Sequence, residues 1–160
     1  MIDNLKTKLI ELKLSSKPIL AEPELENNND TALNKVADML SQDIDIFIFN
    51  TEAITPKYAI EIGQKIKQLC AEFDTMFFLK GKVDVAYILN PDCILLDSNN
   101  LSIHHTKEIL GEDILIGYIG NYPNTIPELP DFIIDGHAIN SKTPVFKMIQ
   151  TNKNLKTLIK

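Results

Sequence analysis

The sequence predicts an α/β fold in which short apolar strands alternate with amphipathic helices. Three observations carry this reading. The apolar period switches repeatedly between short continuous runs and a 3.6-residue stripe. The runs, such as Ile46-Phe47-Ile48-Phe49, are apolar throughout, as strands of a parallel sheet covered on both faces are. Cap and turn residues separate them at spacings suited to right-handed βαβ crossovers. With 160 residues the chain fits a single domain spanning residues 1–160.

Each element has its own signal. Ile2, Leu5, Leu9 and Leu12 share one helical face, so an N-terminal helix is expected over Asn4 to Lys13, ended by Ser15-Ser16-Lys17-Pro18. Pro18 to Glu22 reads as a short strand and Pro23 to Asp30 as a polar loop. Asp30 or Thr31 can cap a helix carrying Leu33, Val36, Ala37 and Leu40. A strand follows over Asp45 to Asn50. The next helix has Thr55 as cap, Pro56 in its first turn, and a stripe of Tyr58, Ile62, Ile66, Leu69 and Phe73. The alternation continues with strand Thr75 to Leu79, a short helix from Lys82 to Leu89, and strand Cys93 to Asp97. Ser102 caps a helix ending at Leu110, with Gly111 as a left-handed cap. Strand Ile114 to Ile119, a proline-rich loop from Asn121 to Pro130, and strand Asp131 to Asp135 come next. Thr143-Pro144 then opens a terminal helix with Val145, Phe146, Ile149, Leu155, Leu158 and Ile159 as apolar positions. Six strands so connected form either an open doubly wound sheet or an incomplete (β/α) barrel.

Composition narrows the function. Apolar residues are 44% and charged residues 24% of the chain, values of an ordinary globular protein. The net charge is −6, and all 16 basic residues are lysines, so the bidentate guanidinium forks of nucleic-acid recognition are absent. Nucleic acid is not an expected partner, whereas lysine can still hold phosphate as a point charge. No apolar run reaches the ~20 residues of a bilayer crossing, and the polar N-terminus does not read as a signal peptide. No membrane association and a cytoplasmic location are expected. Cys70 and Cys93 fall in apolar patterns and read as small buried hydrophobes.

In either architecture ligands are taken at the carboxyl ends of the strands. The polar residues there are Glu22, Asn50, Lys80, Asp97, Tyr118, Asn121 and Asp135, with His137 just beyond; any of them can equally serve as a cap or a solvated edge. There is no Gly-x-Gly-x-x-Gly, no Walker loop and no Gly-x-Ser-x-Gly elbow, and Gly117-Tyr-Ile-Gly120 is too short for a phosphate fingerprint. His104 and His105 are adjacent on a helix and point apart, which does not suit metal ligation.

One stretch carries a family likeness. Ile66-Lys67-Gln68-Leu69-Cys70, Phe77-Phe78-Leu79-Lys80-Gly81-Lys82-Val83-Asp84-Val85-Ala86 and Pro91-Asp92-Cys93-Ile94-Leu95-Leu96, then Ile109 to Gly117, resemble the thiamine-phosphate synthase and TenI family. The likeness thins over Asp131 to Gly136. It implies a TIM-barrel-like fold, shortened here to about six β/α units after an N-terminal helix. It also implies a role in thiamine biosynthesis. An active member would be a transferase joining a hydroxymethylpyrimidine diphosphate to a thiazole phosphate, with Mg²⁺ neutralising the departing pyrophosphate.

Carried over residue by residue, that machinery is largely lost. The family's Gln-x-Arg-x-Lys falls on Ile48, Asn50 and Glu52. Its metal-binding Asp falls on Gly81 and the preceding Asn on Lys80. The second metal carboxylate falls on Asn100, with Asp97 three residues earlier, so Asp97 and Asn100 are the expected metal positions and Mg²⁺ binding is expected to be weak. The Ser after the fifth strand falls on Ile119, while the family's Thr-x-Thr matches Ser141-Lys142-Thr143. Lys80, Lys82, Ser141, Lys142 and Thr143 are thus the expected phosphate-binding residues, and a phosphorylated small molecule the expected ligand. A non-catalytic scaffold or regulatory protein on the same fold is the alternative. An unclosed barrel has bare strand edges, which the terminal helices or a second copy of the chain, as a homodimer, are expected to cover.

Overall fold

A computed structural model of the chain describes residues 20–25, 28–120, 128, 130–134 and 146–148. The predicted N-terminal helix, most of the loop from Asn121 to Pro130, and Ser141, Lys142 and Thr143 lie outside these residues. The described strands are β1 (Leu20–Ala21), β2 (Ile46–Asn50), β3 (Met76–Lys80), β4 (Cys93–Leu96), β5 (Ile116–Ile119), β6 (Phe132–Ile134) and β7 (Phe146–Met148). The described helices are α1 (Asn29–Leu40), α2 (Pro56–Glu72), α3 (Val83–Leu89) and α4 (Ile103–Leu110).

The strands form a seven-stranded sheet in the order β1-β2-β3-β4-β5-β6-β7. β1 to β6 pair parallel in strict sequence order. A doubly wound sheet reverses its order at a switch point; this one never does. The placement of the helices agrees. Every helical residue in the core belongs to one cluster, packed on Phe47, Phe49, Phe77, Leu79, Ile94, Leu96 and Ile116. The other cluster is made of residues from the strands and their immediate flanks alone: Leu20, Ile46, Ile48, Met76, Phe78, Cys93, Leu95, Leu115 and Phe132. Helices on one face and side chains stacked on the other are the layers of a (β/α) barrel. Six of the eight strands of such a barrel are present among the described residues.

Three of the four described helices start where a side chain satisfies their first amide groups, and α3 has no side-chain cap. The Asn28 carboxamide oxygen accepts from Asp30 N–H at 3.0 Å and Thr31 N–H at 3.2 Å, so α1 begins ahead of the predicted Asp30 or Thr31 cap. Thr55 and Ser102 cap α2 and α4 as expected. Ala32, Val36 and Leu40 bury one stripe of α1, and Ala59, Ile62, Gly63, Ile66 and Cys70 that of α2. Phe73 falls off the predicted stripe; it ends α2 and stays 42% exposed. α3 ends on Asn90 in the left-handed conformation. Lys67 Nζ crosses from α2 to donate to the free carbonyls of Leu89 at 2.9 Å and Asn90 at 2.8 Å.

Two aspartates repeat one device at the amino ends of the strands. Asp92 donates its N–H to Phe77 O at 2.9 Å while its carboxylate accepts from Phe77 N–H at 2.8 Å. Asp131 does the same to Ile116, at 2.8 and 2.9 Å. Each closes the ladder one residue before its own strand begins, where an amide would otherwise be orphaned.

One expectation fails at the far edge. The terminal helix predicted from Thr143 is absent at Phe146–Met148, which form β7 antiparallel to β6, with Phe132 opposite Met148 and Ile134 opposite Phe146. A bare strand edge leaves a row of unpaired amides and carbonyls. Satisfying them outweighs a local helical period, so the last parallel strand is covered by a strand, not by a helix. Both cysteines are buried and free, as read from their apolar surroundings. Among the described residues no helix is long and apolar enough to cross a membrane.

Candidate functional site

The strand register decides which predicted residues meet. Leu20, Ile46, Ile48, Met76, Phe78, Cys93 and Leu95 face the concave side. The period of two then continues that face to Glu22, Asn50, Lys80 and Asp97 at the carboxyl ends. In this strand-end layer Asn50 and Lys80 are register partners, and Glu22 contacts Lys80. Tyr118 does not join them: it lies in the helix-side cluster and is 6% exposed.

The layer is held by a buried threonine that the sequence reading passed over. Thr51 donates from its N–H and its hydroxyl to Lys80 O, at 2.8 and 2.9 Å, and its Oγ1 accepts from Lys82 N–H at 2.9 Å. Between the two lysines Gly81 takes φ +112°. A Cβ there would sit 2.8 Å from Thr51 Oγ1 and 2.8 Å from Glu52 Cγ. The available signal was a glycine directly after a strand, which marks close backbone approach.

Both rim lysines on the described chain are engaged. Lys80 Nζ lies 3.9 Å from Glu22 Oε1, each side chain about 15% exposed (15% and 14%). Burial pushes the Glu22 carboxyl above its ordinary value; Lys80 pulls it down, and nearby Glu52 adds to the rise. Lys82 Nζ donates to the Ile54 carbonyl in the β2–α2 loop. Lys82 also lines a cleft of about 490 Å³ with Glu52, Gly81, Val83, Asn99, Asn100 and Leu101, above the ends of β2, β3 and β4.

Asp97 and Asn100 are adjacent, but they close a turn. Asn100 Oδ1 accepts from Asp97 N–H at 2.8 Å, and Asp97 Oδ1 accepts from Asn99 N–H at 2.8 Å. Mg²⁺ asks for near-octahedral oxygen ligands, usually with one or two carboxylates. Of the two positions only Asp97 offers charge. The family's other carboxylate position is Gly81, whose missing Cβ is where Thr51 and Glu52 pack. Among the described residues no group of three His, Cys, Asp or Glu side chains is arranged to hold a metal. Asp97 and Asn100 by themselves do not make up the donor set of a tightly held Mg²⁺.

Sequential parallel strands, helices on the outer face and a polar layer at the strand ends define a protein of the (β/α)-barrel class. The chain belongs to the thiamine monophosphate synthase family, whose sequence profile matches residues 19–156. The thiamine-phosphate synthase of Prochlorococcus marinus (strain AS9601) is 26% identical over 152 residues, 91% of this chain and 43% of that protein. That of Methanococcus vannielii is 38% identical over 56 residues, 35% of this chain and 27% of that protein. Among solved structures, the thiamine phosphate pyrophosphorylase from Pyrococcus furiosus superposes with a TM-score of 0.57 at 23% identity, covering 68% of this chain and 52% of that one. The likeness to that structure concerns the fold. The chain spans less than half the length of these two relatives.

Proposed function

We propose that this chain works in thiamine biosynthesis by binding a phosphorylated small molecule at the rim formed by Lys80 and Lys82, with transferase activity weak or lost. Family membership supports the pathway. The single observation that carries the loss of activity is Gly81: the family's metal carboxylate is missing there, and Thr51 and Glu52 pack where its Cβ would stand. Pyrophosphate departure needs its developing charge neutralised. With no carboxylate at position 81 or 100, magnesium is proposed to add little to binding. Ser141, Lys142 and Thr143 are proposed to complete the anion site from the sequence match alone.

Thermal melts with thiazole phosphate, hydroxymethylpyrimidine diphosphate and pyrophosphate, each with and without Mg²⁺, test this reading. A binding ligand stabilises by RT ln(1 + [L]/Kd). The expected result is an upward shift with phosphorylated ligands that Mg²⁺ hardly changes, and no coupled product from the two substrates together. A large Mg²⁺-dependent shift with product formation would restore the enzyme reading. No shift at millimolar ligand would favour the second reading, a non-catalytic scaffold or regulator; the ion pair that already occupies Lys80 is what speaks for it.

A further inference from the structure

We propose that Glu22 is an internal counter-anion that holds the anion position at Lys80 closed, so that a phosphorylated ligand must displace it. The inference rests on the rim being an anion site, as argued above.

Three observations converge on Glu22. The pair is made by residues from different strand ends: Glu22 follows β1 and Lys80 ends β3, with β2 between them. Its 3.9 Å separation exceeds the ~2.8 Å of a charge-assisted hydrogen bond, so the contact is coulombic and leaves the ammonium's hydrogen bonds to be made. Glu22 Oε1 is buried and has no hydrogen-bond partner among the described residues. A buried carboxylate oxygen without a donor is poorly satisfied. The arrangement is therefore one that a better-fitted anion can replace.

The surroundings point the same way. Glu52 adds negative charge near Glu22, and one of the three Lys82 ammonium donors goes to the Ile54 carbonyl. The chain's own carboxylates thus supply the charge that a ligand phosphate would bring. Burial already raises the Glu22 carboxyl, so loss of its charge is the easy direction. Glu22 lies in residues 22–25, which carry no regular structure, so strand pairing does not tie it down.

The test titrates inorganic pyrophosphate into the full chain, followed by ³¹P line broadening, for wild type, Glu22→Gln, Glu22→Ser, Lys80→Met and the double variant Glu22→Gln/Lys80→Met. Far-UV melts check that each is folded, and the serine variant covers a failure of the glutamine one. Removing a like charge within a few ångströms of the bound anion should tighten binding by about tenfold. That gain should vanish in the Lys80→Met background. Wild-type binding that neither Glu22 variant tightens overturns the counter-anion role while leaving the anion site standing. Binding by the Glu22 variants alone supports the role and removes anion binding from the wild-type function. Binding by none overturns both.

Discussion

Phe78 on β3 and Phe132 on β6 meet across the concave face of the sheet with ring centroids 5.9 Å apart. Two strands lie between them, so a flat sheet would hold β3 and β6 about 14 Å apart. The contact therefore requires the sheet to curl, and Gly117 on β5 makes the room. A Cβ at Gly117 would fall 2.4 Å from Phe132 Cε2 and 2.6 Å from Leu95 Cδ2. The phenylalanine ring lies across the strand where a side chain would stand.

Gly117→Ala is expected to destabilise the fold by about 2–3 kcal/mol, since overpacking a filled core forces backbone or rotamer shifts. The added methyl meets a ring pinned between strands, not a flexible chain end. Urea unfolding would show a lowered midpoint. A midpoint within error of wild type would mean that the curl does not depend on that gap.

The paired aspartates at the amino ends give a second expectation. Asp92→Ala leaves Phe77 N–H without its carboxylate acceptor, and Asp131→Ala does the same to Ile116 N–H. Each should cost about 1–3 kcal/mol, the penalty of an unsatisfied, partly buried donor. Amide hydrogen exchange offers the sharper check: Phe77 should lose protection in the first variant and Ile116 in the second. Unchanged protection at both would remove the device from the account.

The alternation of strands and helices was legible because each element carries its own period and cap, from Thr55 and Ser102 to the apolar run of β2. The family likeness then favoured the barrel over the open sheet, and the unbroken strand order decided it. β7 was not legible. Whether Phe146 to Met148 extend or coil depends on an open edge at β6, formed by residues that no local window contains. The site divides in the same way. The strand-end parity of Glu22, Asn50, Lys80 and Asp97 follows from a period of two. The Glu22–Lys80 pair and the Thr51 hub are contacts between segments 29 to 58 residues apart, and residue identity alone does not announce them.

Gly81 permits a direct trial of whether the lost metal carboxylate can be returned. Gly81→Asp places a side chain at φ +112°, against Thr51 and Glu52. The left-handed backbone strain and the clash together should cost about 2 kcal/mol or more. The variant should also fail to gain a Mg²⁺-dependent rise in melting temperature. A stable variant whose melt does rise with Mg²⁺ would show that the site accommodates the metal after all.

The last expectation concerns pH and the segment that leads into β6. His104 on α4 places Nδ1 2.9 Å from Glu128 Oε1 and Nε2 3.2 Å from Glu108 Oε1, while Lys107 Nζ lies 3.8 Å from Glu128 Oε2. The ring of His105 stands edge-on to it at 5.6 Å. The hydrogen bond to Glu128, first, and the charges of Glu108 and Glu128 raise the imidazole above its ordinary 6.5. A group whose folded value is raised contributes stability that is fully present below the unfolded value and fades as pH rises through the folded one. The tie of residue 128 to α4 should therefore be firm below about pH 6.5 and weaken above the folded value. Comparing thermal melts of wild type and His104→Gln between pH 5 and 9 tests the sign: wild type should melt higher in the acid half, and the difference should close in the alkaline half. A difference that grows with pH would reverse the assignment, because it would mean that the neutral imidazole is the form the fold prefers.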